Sequence, residues 1–418
     1  MKNTYGFVLG NNKTLNTLDI LKVLEKLGIS FEILESSSEI IIFKTNSILP
    51  ENLIDQLGSA QKIFEIYKII PDNFENIFLD FTKQKQFESF FIPDEVKISF
   101  GISLYRAGGE MYEKIVHKIS FYCQEIKNIF NNEKRKFGFL FIKEAALSSV
   151  SVKKNGLLDK GFELVIVDGK SGVYIGKTIS VQDFEDYSFR DFGRPRRAVR
   201  SGMIPPKLAK MMINLAGKEK NAKILDPFCG SGTILQEAIL LGYQNIYGSD
   251  IEEKAVEDCR KNINWLYEKY PQIIKEDLNL DVKKIDASKL SDIFSLNFFD
   301  AIITEPFLGS PKIKYFQKDK AEKEVRFLEE LFFQAFKEFK KILKDDGNVV
   351  IIFPVFNFEN KTYYLDLKRI QKLGFVAKDL IEKEKYPLLD LDFTLRNSVI
   401  FSRENQIVWR EVFVFGKK

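Results

Sequence analysis

Lys223-Ile-Leu-Asp-Pro-Phe-Cys-Gly-Ser-Gly-Thr233, followed by Gly248-Ser-Asp250, decides how the second half of this chain folds. A short apolar run enters Asp226-Pro227, small residues Gly230-Ser231-Gly232 make a turn, and a helical pattern occupies Thr233 to Leu241. The next apolar run, Asn245 to Tyr247, leads to an acid 24 residues beyond Asp226, the spacing of one strand–helix unit feeding a second strand. Glycines let a backbone approach its ligand closely, and an acid at the end of the second strand suits a ribose diol. A dinucleotide fingerprint would read Gly-x-Gly-x-x-Gly. Here an Asp precedes the glycines and the third glycine is missing, which argues against a pyrophosphate and for a ligand with an amino group or a sulfonium.

Outward from this turn, strand and helix alternate as a doubly wound sheet requires. Expected strands are Lys223–Pro227, Gln244–Asp250, Val282–Asp286, Phe299–Thr304, Asn348–Phe353 and Val376–Lys383. Expected helices are Gly232–Leu241, Glu253–Lys269, Ala321–Leu343 and Tyr363–Leu373. Asn397–Ser402 and Val408–Phe415 close the chain as an antiparallel hairpin around Glu404-Asn405. In such sheets ligands bind at the carboxyl ends of the strands, near the point where strand order reverses. The aromatic helix carrying Phe327, Leu328, Leu331, Phe332, Phe336 and Phe339 is expected to cover one face.

The chain has 418 residues, 45% of them hydrophobic and 13% aromatic, enough to bury more than one core. A formal net charge of +4 permits a nucleic-acid partner without requiring one. Cys123, Cys229 and Cys259 are sparse and lack metal spacing, which points to a reducing compartment with neither a disulfide framework nor a zinc site. His117 is the single histidine, so His-dependent triads and most His–zinc sites are excluded. No apolar run approaches membrane-spanning length, and Met1-Lys-Asn-Thr-Tyr5 is no signal peptide. A cytoplasmic protein with no membrane association is the expectation.

Residues 1–71 read as a βαββαβ unit, a ferredoxin-like plait. Its parts are a strand at Tyr5–Leu9, a helical stripe from Leu18 to Leu27 closed by Gly28, a hairpin of Phe31–Leu34 with Glu39–Phe43, a helix at Leu53–Leu57 and a strand at Ile63–Ile70. Asp72–Glu95 reads as a polar, irregular connector. A second α+β unit follows, with a strand from Val96, a helix over Met111–Ile129, and strand candidates Gly138–Ile142, Ser148–Val152, Phe162–Val167 and Val173–Ile179. From Arg190 to Arg200 five arginines fall within eleven residues: Arg190, Arg194, Arg196, Arg197 and Arg200. They repel one another unless an anion lies among them, so the alternatives are contact with RNA phosphate or a solvated linker partly paired with Asp186 and Asp191.

Asp226-Pro-Phe-Cys-Gly-Ser-Gly-Thr233 resembles motif I of the S-adenosylmethionine (SAM) methyltransferases that modify exocyclic amino groups. The preceding Arg190-Asp-Phe-Gly-Arg-Pro-Arg-Arg-Ala-Val-Arg-Ser-Gly-Met-Ile-Pro-Pro-Lys-Leu-Ala209 resembles the junction in the THUMP-domain tRNA guanine-N2 methyltransferases acting on position-10 guanosine. Lys153-Lys-Asn-Gly-Leu-Leu158 and Lys160-Gly-Phe-Glu-Leu164 are similar to THUMP segments of the same enzymes. The resemblance covers Gly156 to the C-terminus with useful motifs and the rest in outline. It implies an α/β class I, Rossmann-like methyltransferase domain over 201–418, behind an N-terminal ferredoxin-like domain (1–71), a THUMP-like RNA-binding domain (72–180) and an Arg-rich linker (181–200).

The resemblance also implies roles. Ser201, Gly202 and Met203 would hold the methionine end of SAM, and Asp226, Gly230 and Gly232 its amino-acid and sulfonium portion. Asp250 would accept both ribose hydroxyls, Ile251 would pack on adenine, and Asp286 with Ala287 would receive the adenine amino group. Phe228 and Phe356 border the expected cleft, against base, cofactor or core. Lys153, Lys154 and the five arginines would meet tRNA. Family members then carry an acid or Asn, Pro-Pro and an aromatic; here the run is Thr304-Glu305-Pro306-Phe307, with Leu308 before Gly309. Acceptors gather the hydrogens of a weakly nucleophilic amine and aim its lone pair, while the aromatic stacks on the flipped base. Glu305 or Thr304 would take the acceptor role, with no metal involved. The competing readings are a DNA amino-methyltransferase and a SAM-binding, tRNA-binding protein with impaired catalysis. A small partner subunit and the oligomeric state stay open.

Overall fold

The computed structural model describes residues 3–71, 73–90, 97–131, 135–140, 144–197, 203–310, 318–358, 361–403 and 406–418. The chain forms two compact units, the first mainly residues 1–184 with Lys383–Asp390, the second mainly 185–382 and 391–418 with Leu21–Lys26.

The first unit carries β1 (Asn3–Leu9), α1 (Lys13–Lys26), β2 (Phe31–Ser36), β3 (Ile40–Thr45), α2 (Leu53–Gln56) and β4 (Ala60–Ile70). It continues with α3 (Phe74–Thr82), α4 (Lys85–Glu88), β5 (Lys97–Ala107), α5 (Tyr112–Val116), α6 (Ile119–Phe130), β6 (Lys136–Phe139), α7 (Ser149–Lys154), β7 (Gly161–Gly169) and β8 (Gly172–Val181). All eight strands join one sheet in the order β2-β3-β1-β4-β8-β7-β5-β6. The antiparallel β4–β8 pair, Lys62↔Val181 through Ile70↔Val173, makes the sheet continuous across the expected boundary at residue 71.

Three sequence expectations change here. Residues 74–88 are not an irregular connector but α3 and α4, because Phe74, Phe78 and Phe81 repeat at helical spacing and bury with Phe87 and Phe90. Ser148–Val152 is not a strand: the Ser148 hydroxyl accepts the Ser151 N–H at 3.1 Å and caps α7. The helix over Met111–Ile129 divides at His117-Lys118 into α5 and α6. His117 itself is exposed.

The second unit opens with α8 (Phe184–Phe192), α9 (Pro206–Leu215), β9 (Lys223–Asp226), α10 (Thr233–Leu240), β10 (Asn245–Asp250), α11 (Glu253–Lys269), β11 (Asn279–Lys284) and β12 (Phe299–Thr304). It ends with α12 (Lys318–Ile342), β13 (Leu343–Phe358), β14 (Lys361–Tyr364), α13 (Lys368–Lys372), β15 (Phe375–Ala377), β16 (Val399–Phe401) and β17 (Val408–Lys417). The sheet order is β11-β10-β9-β12-β13-β17-β15, with β14 beside β13 and β16 beside β17. β11, β10, β9, β12 and β13 are parallel, and β17 inserts antiparallel between β13 and β15. Strand order reverses between β9 and β12.

On α12, Leu328, Phe332, Phe336 and Phe339 bury against the sheet while Phe327 stays 55% exposed, so that one position departs from the expected core stripe. Phe356 sits in the same core, 1% exposed, rather than at a cleft. The expected helix Tyr363–Leu373 begins instead as β14, whose aromatic pair Tyr363-Tyr364 lies opposite Val355 and Phe356, and becomes α13 only at Lys368. The expected strand Val376–Lys383 shortens to β15, and Lys383–Lys385 is a 3₁₀ turn. The Glu404-Asn405 turn lies outside the described residues.

Candidate active site

β9 ends on Asp226, whose side chain is buried at the reversal point of the sheet. Thr304, the last residue of the neighbouring β12, donates its hydroxyl to Asp226 Oδ1 at 2.6 Å, and the Phe228 N–H donates to the same oxygen at 3.1 Å. Burial pushes the Asp226 carboxyl up to about 7; those two bonds oppose the rise, and the Asp250 and Glu305 charges add to it. The turn after β9 needs its glycines. Gly230 and Gly232 have φ of 50° and 86°, and a Cβ on Gly232 would lie 2.6 Å from Cys259 Sγ.

This turn is tied to the end of β10. The Cys229 N–H donates to the Ser249 carbonyl at 2.9 Å, and the Gly230 N–H donates to Asp250 Oδ2 at 2.9 Å. Asp250 Oδ1 accepts the Glu252 N–H at 3.0 Å. Burial raises the Asp250 carboxyl, against the pull of these N–H groups. Ile251 follows, 58% exposed, an apolar side chain left on the rim. Beyond β11, Asp286 Oδ1 accepts the Ser288 N–H and hydroxyl at 2.9 and 2.8 Å, with Ala287 buried beside it. Asp286, Asp250, Asp226 and Thr304 thus stand at or just past the carboxyl ends of four strands adjacent in the sheet.

A small open cleft lies there, lined by Met203, Asp226, Phe228, Gly230, Thr233 and Glu305 among others. Met203 comes from the segment leading to α9, where Pro205-Pro206 makes the first turn rigid. Ser201, Gly202 and Arg200 lie outside the described residues.

Glu305 reaches the cleft from just past β12, and Arg410 of β17 holds it: Nε donates to Oε1 at 2.6 Å and Nη2 approaches Oε2 at 3.5 Å. Both side chains are largely buried, at 11% and 13% exposure. Arg410 is the site residue that sequence reasoning missed, since nothing local marks an arginine 105 positions away as a partner of Glu305. Pro306 is buried and Phe307 is 44% exposed, free to meet a flat ring.

The arginine run divides. Arg190 is buried, donates Nε to Glu237 Oε1 at 2.6 Å and pairs with Asp186. Arg194 is equally buried and donates Nη1 to Thr233 Oγ1 at 2.6 Å. Both guanidiniums are therefore turned inward, and neither stands at the surface where it was expected to meet RNA phosphate. Arg196 remains half exposed, 3.6 Å from Asp258, and Arg197 lies over the Phe192 ring at 4.9 Å. Lys154 is exposed and Lys153 pairs with Asp183 at 2.9 Å. Among the described residues no group of three His, Cys, Asp or Glu could hold a metal ion, and no helix is long and apolar enough to cross a membrane.

Residues 194–372 match the model of the UPF0020, RMKL-like methyltransferase domain. This part of the chain is similar to that methyltransferase domain. A tRNA (guanine(10)-N2)-dimethyltransferase of Pyrococcus abyssi is 30% identical over 187 residues, 44% of this chain and 50% of that protein. The chain thus spans about half the length of that relative. The protein of the same name from Methanocaldococcus jannaschii is 26% identical over 329 residues, 78% of this chain and 81% of its own. Among solved structures, TrmN from Thermus thermophilus covers 100% of both chains with a TM-score of 0.56 at 14% identity. The SMU.472 protein in complex with SAH covers 100% of this chain and 99% of its own, with a TM-score of 0.52 at 15% identity. These likenesses establish the Rossmann-like methyltransferase fold.

Proposed function

We propose that the chain is a SAM-dependent RNA methyltransferase that methylates the exocyclic N2 of a guanosine in tRNA, of the position-10 type. The observation that carries the reading is the row of polar side chains, Asp286, Asp250, Asp226 and Thr304, along four neighbouring strand ends around a glycine turn. The residues suit the donor. Asp250 offers a carboxylate to a ribose diol, Ile251 an apolar rim to adenine, Asp286 an acceptor to its amino group, and Met203 with Gly230 a wall for the amino-acid end. When bound, SAM supplies an electrophilic methyl group on a sulfonium, which is an excellent leaving group.

The chain's own part is to present the amine. Phe307 gives an exposed face for a flipped guanine. Pro306 leaves the Glu305 carbonyl without a competing donor, and the Glu305 carboxylate, held by Arg410, accepts amine hydrogens at the mouth of the cleft. Thr304, at the position of the family's acid, is spent on Asp226. We read residues 1–71 as ferredoxin-like and 72–180 as THUMP-like, docking tRNA with Lys153, Lys154, Arg196 and Arg197. The relatives' names support tRNA as substrate.

Incubation with labelled SAM and either tRNA transcripts or duplex DNA tests this. Label recovered as N2-methylguanosine in tRNA is expected. Label in DNA would make it a DNA amino-methyltransferase. SAM binding with no transfer to either would favour the reading in which the Glu305–Arg410 pair closes the acceptor site to a base.

A further inference from the structure

Three carboxyls gather at the carboxyl edge of the second sheet, and they differ in what is left of their acceptor capacity. Asp226 takes the Thr304 hydroxyl and the Phe228 N–H, and Asp250 takes the N–H groups of Gly230 and Glu252. Among the described residues Glu305 takes only Arg410, through Nε at 2.6 Å on Oε1 and a long 3.5 Å contact from Nη2 on Oε2. An ionised carboxylate has about four acceptor positions and no donor, so Oε2 in particular keeps room for further hydrogens. Glu305 lines the cleft directly, whereas Arg410 reaches it from β17, where it lies opposite Pro354 of β13.

The three groups feel one another. Burial first, and then the Asp250 and Glu305 charges, push the Asp226 carboxyl up. Acids crowded in a buried site drive one another towards the protonated form, and a protonated carboxyl donates a hydrogen bond instead of accepting one. A permanently charged guanidinium at 2.6 Å favours the ionised, acceptor-only form of its carboxyl partner. Such a group distinguishes purines. On its pairing edge guanine presents N1–H beside the N2 amine, two neighbouring donors that one carboxylate can take together. A purine with the same 2-amine but no hydrogen on N1, such as 2,6-diaminopurine, sets a lone pair against the carboxylate. A site built to accept that hydrogen rejects the analogue lacking it, because its own acceptor is then left unpaired.

We infer that Arg410, by holding Glu305 as an acceptor-only carboxylate, is a positioning residue that makes the site choose guanine over purines lacking N1–H. The inference rests on the reading that the cleft presents the exocyclic amine of a purine in tRNA to the donor. It gives β17, which lies outside the strand ends of the donor site, a part in substrate choice.

The test compares methyl transfer by the full chain to two synthetic tRNAs, one with guanosine and one with 2,6-diaminopurine at the target position, the opposing base changed to keep the pair. The wild type is expected to favour guanosine in kcat/KM by roughly ten- to a hundredfold, the range for one bidentate base contact. Arg410→Met should slow transfer to guanosine and bring the ratio to within about threefold of unity. Arg410→Lys, which keeps the charge, should restore most of the preference. Because each ratio is taken on one preparation, a partly folded variant does not distort it. If the Met variant does not fold at all, Glu305→Gln, whose amide can turn to donate, should level the ratio in its place. A ratio that Arg410→Met or Glu305→Gln leaves unchanged while both rates fall would mean a merely structural pair and overturn the inference. So would a wild type that methylates both tRNAs equally. A wild type that transfers to neither would sink the tRNA reading itself, and the inference with it.

Discussion

Asp226 is the residue on which most of the site's electrostatics turn. Its folded pKa of about 7 lies above the ~3.9 of an unfolded Asp, so the native state binds the proton more tightly. The stability this lends is complete below about pH 4 and is lost as pH rises through 7. Asp226→Asn keeps the shape and removes the titration. It should match the wild type near pH 4 and gain on it by about 2 kcal/mol between pH 5 and 7, read by denaturant unfolding at both pH values. A constant difference across that range would show that Asp226 does not titrate there. Asp250→Ala removes the proposed diol acceptor and also frees the Gly230 N–H. S-adenosylhomocysteine affinity should fall by about a hundredfold or more, and unchanged calorimetry would remove Asp250 from the site. Glu305→Gln weakens the grip of Arg410 and the acceptor together. Turnover on tRNA should drop by about a hundredfold while donor affinity stays within about threefold; an unaffected rate would place the acceptor elsewhere.

Elements read unevenly from the sequence, and the reasons are local. In the second unit the strands at Lys223, Asn245 and Phe299 and the helix Glu253–Lys269 lie where their apolar runs and period place them, because buried parallel strands and an amphipathic helix leave strong patterns. The three aspartates and the glycine turn were legible for the same reason: each sits at a strand end. Arg410 and the burial of Arg190 and Arg194 were not, since side-chain pairing across 105 or 47 positions leaves no periodic trace. α7 was misread because Val150 and Val152 alternate with serines as a strand would, yet Ser148 caps the turn. α3 was misread because Glu75, Asn76 and Asp80 interrupt its apolar residues, although its three phenylalanines share one face. Phe81 is fully buried there, edge-on to Phe87 at 5.6 Å. Phe81→Ala should cost about 3–5 kcal/mol, seen as a lowered unfolding midpoint of the first unit, whereas an irregular connector would tolerate it.

At the scale of the molecule, two sheets divide the proposed labour. The second carries a donor site whose parts come from four neighbouring strand ends, so the site exists only when β9, β10, β11 and β12 lie in that order. Lys154, Arg196 and Arg197 stay exposed, and in the proposed docking of tRNA each phosphate contact they made would render binding salt-sensitive. The position of the donor is the claim on which substrate and mechanism both depend. A crystal structure of the full chain soaked with S-adenosylhomocysteine measures it directly. The account predicts ribose hydroxyls on the Asp250 carboxylate, adenine between Ile251 and Asp286, and the amino-acid end beside Asp226 and Thr233. An empty cleft at saturating ligand, or a phosphate group seated on the Gly230–Gly232 turn, would contradict it.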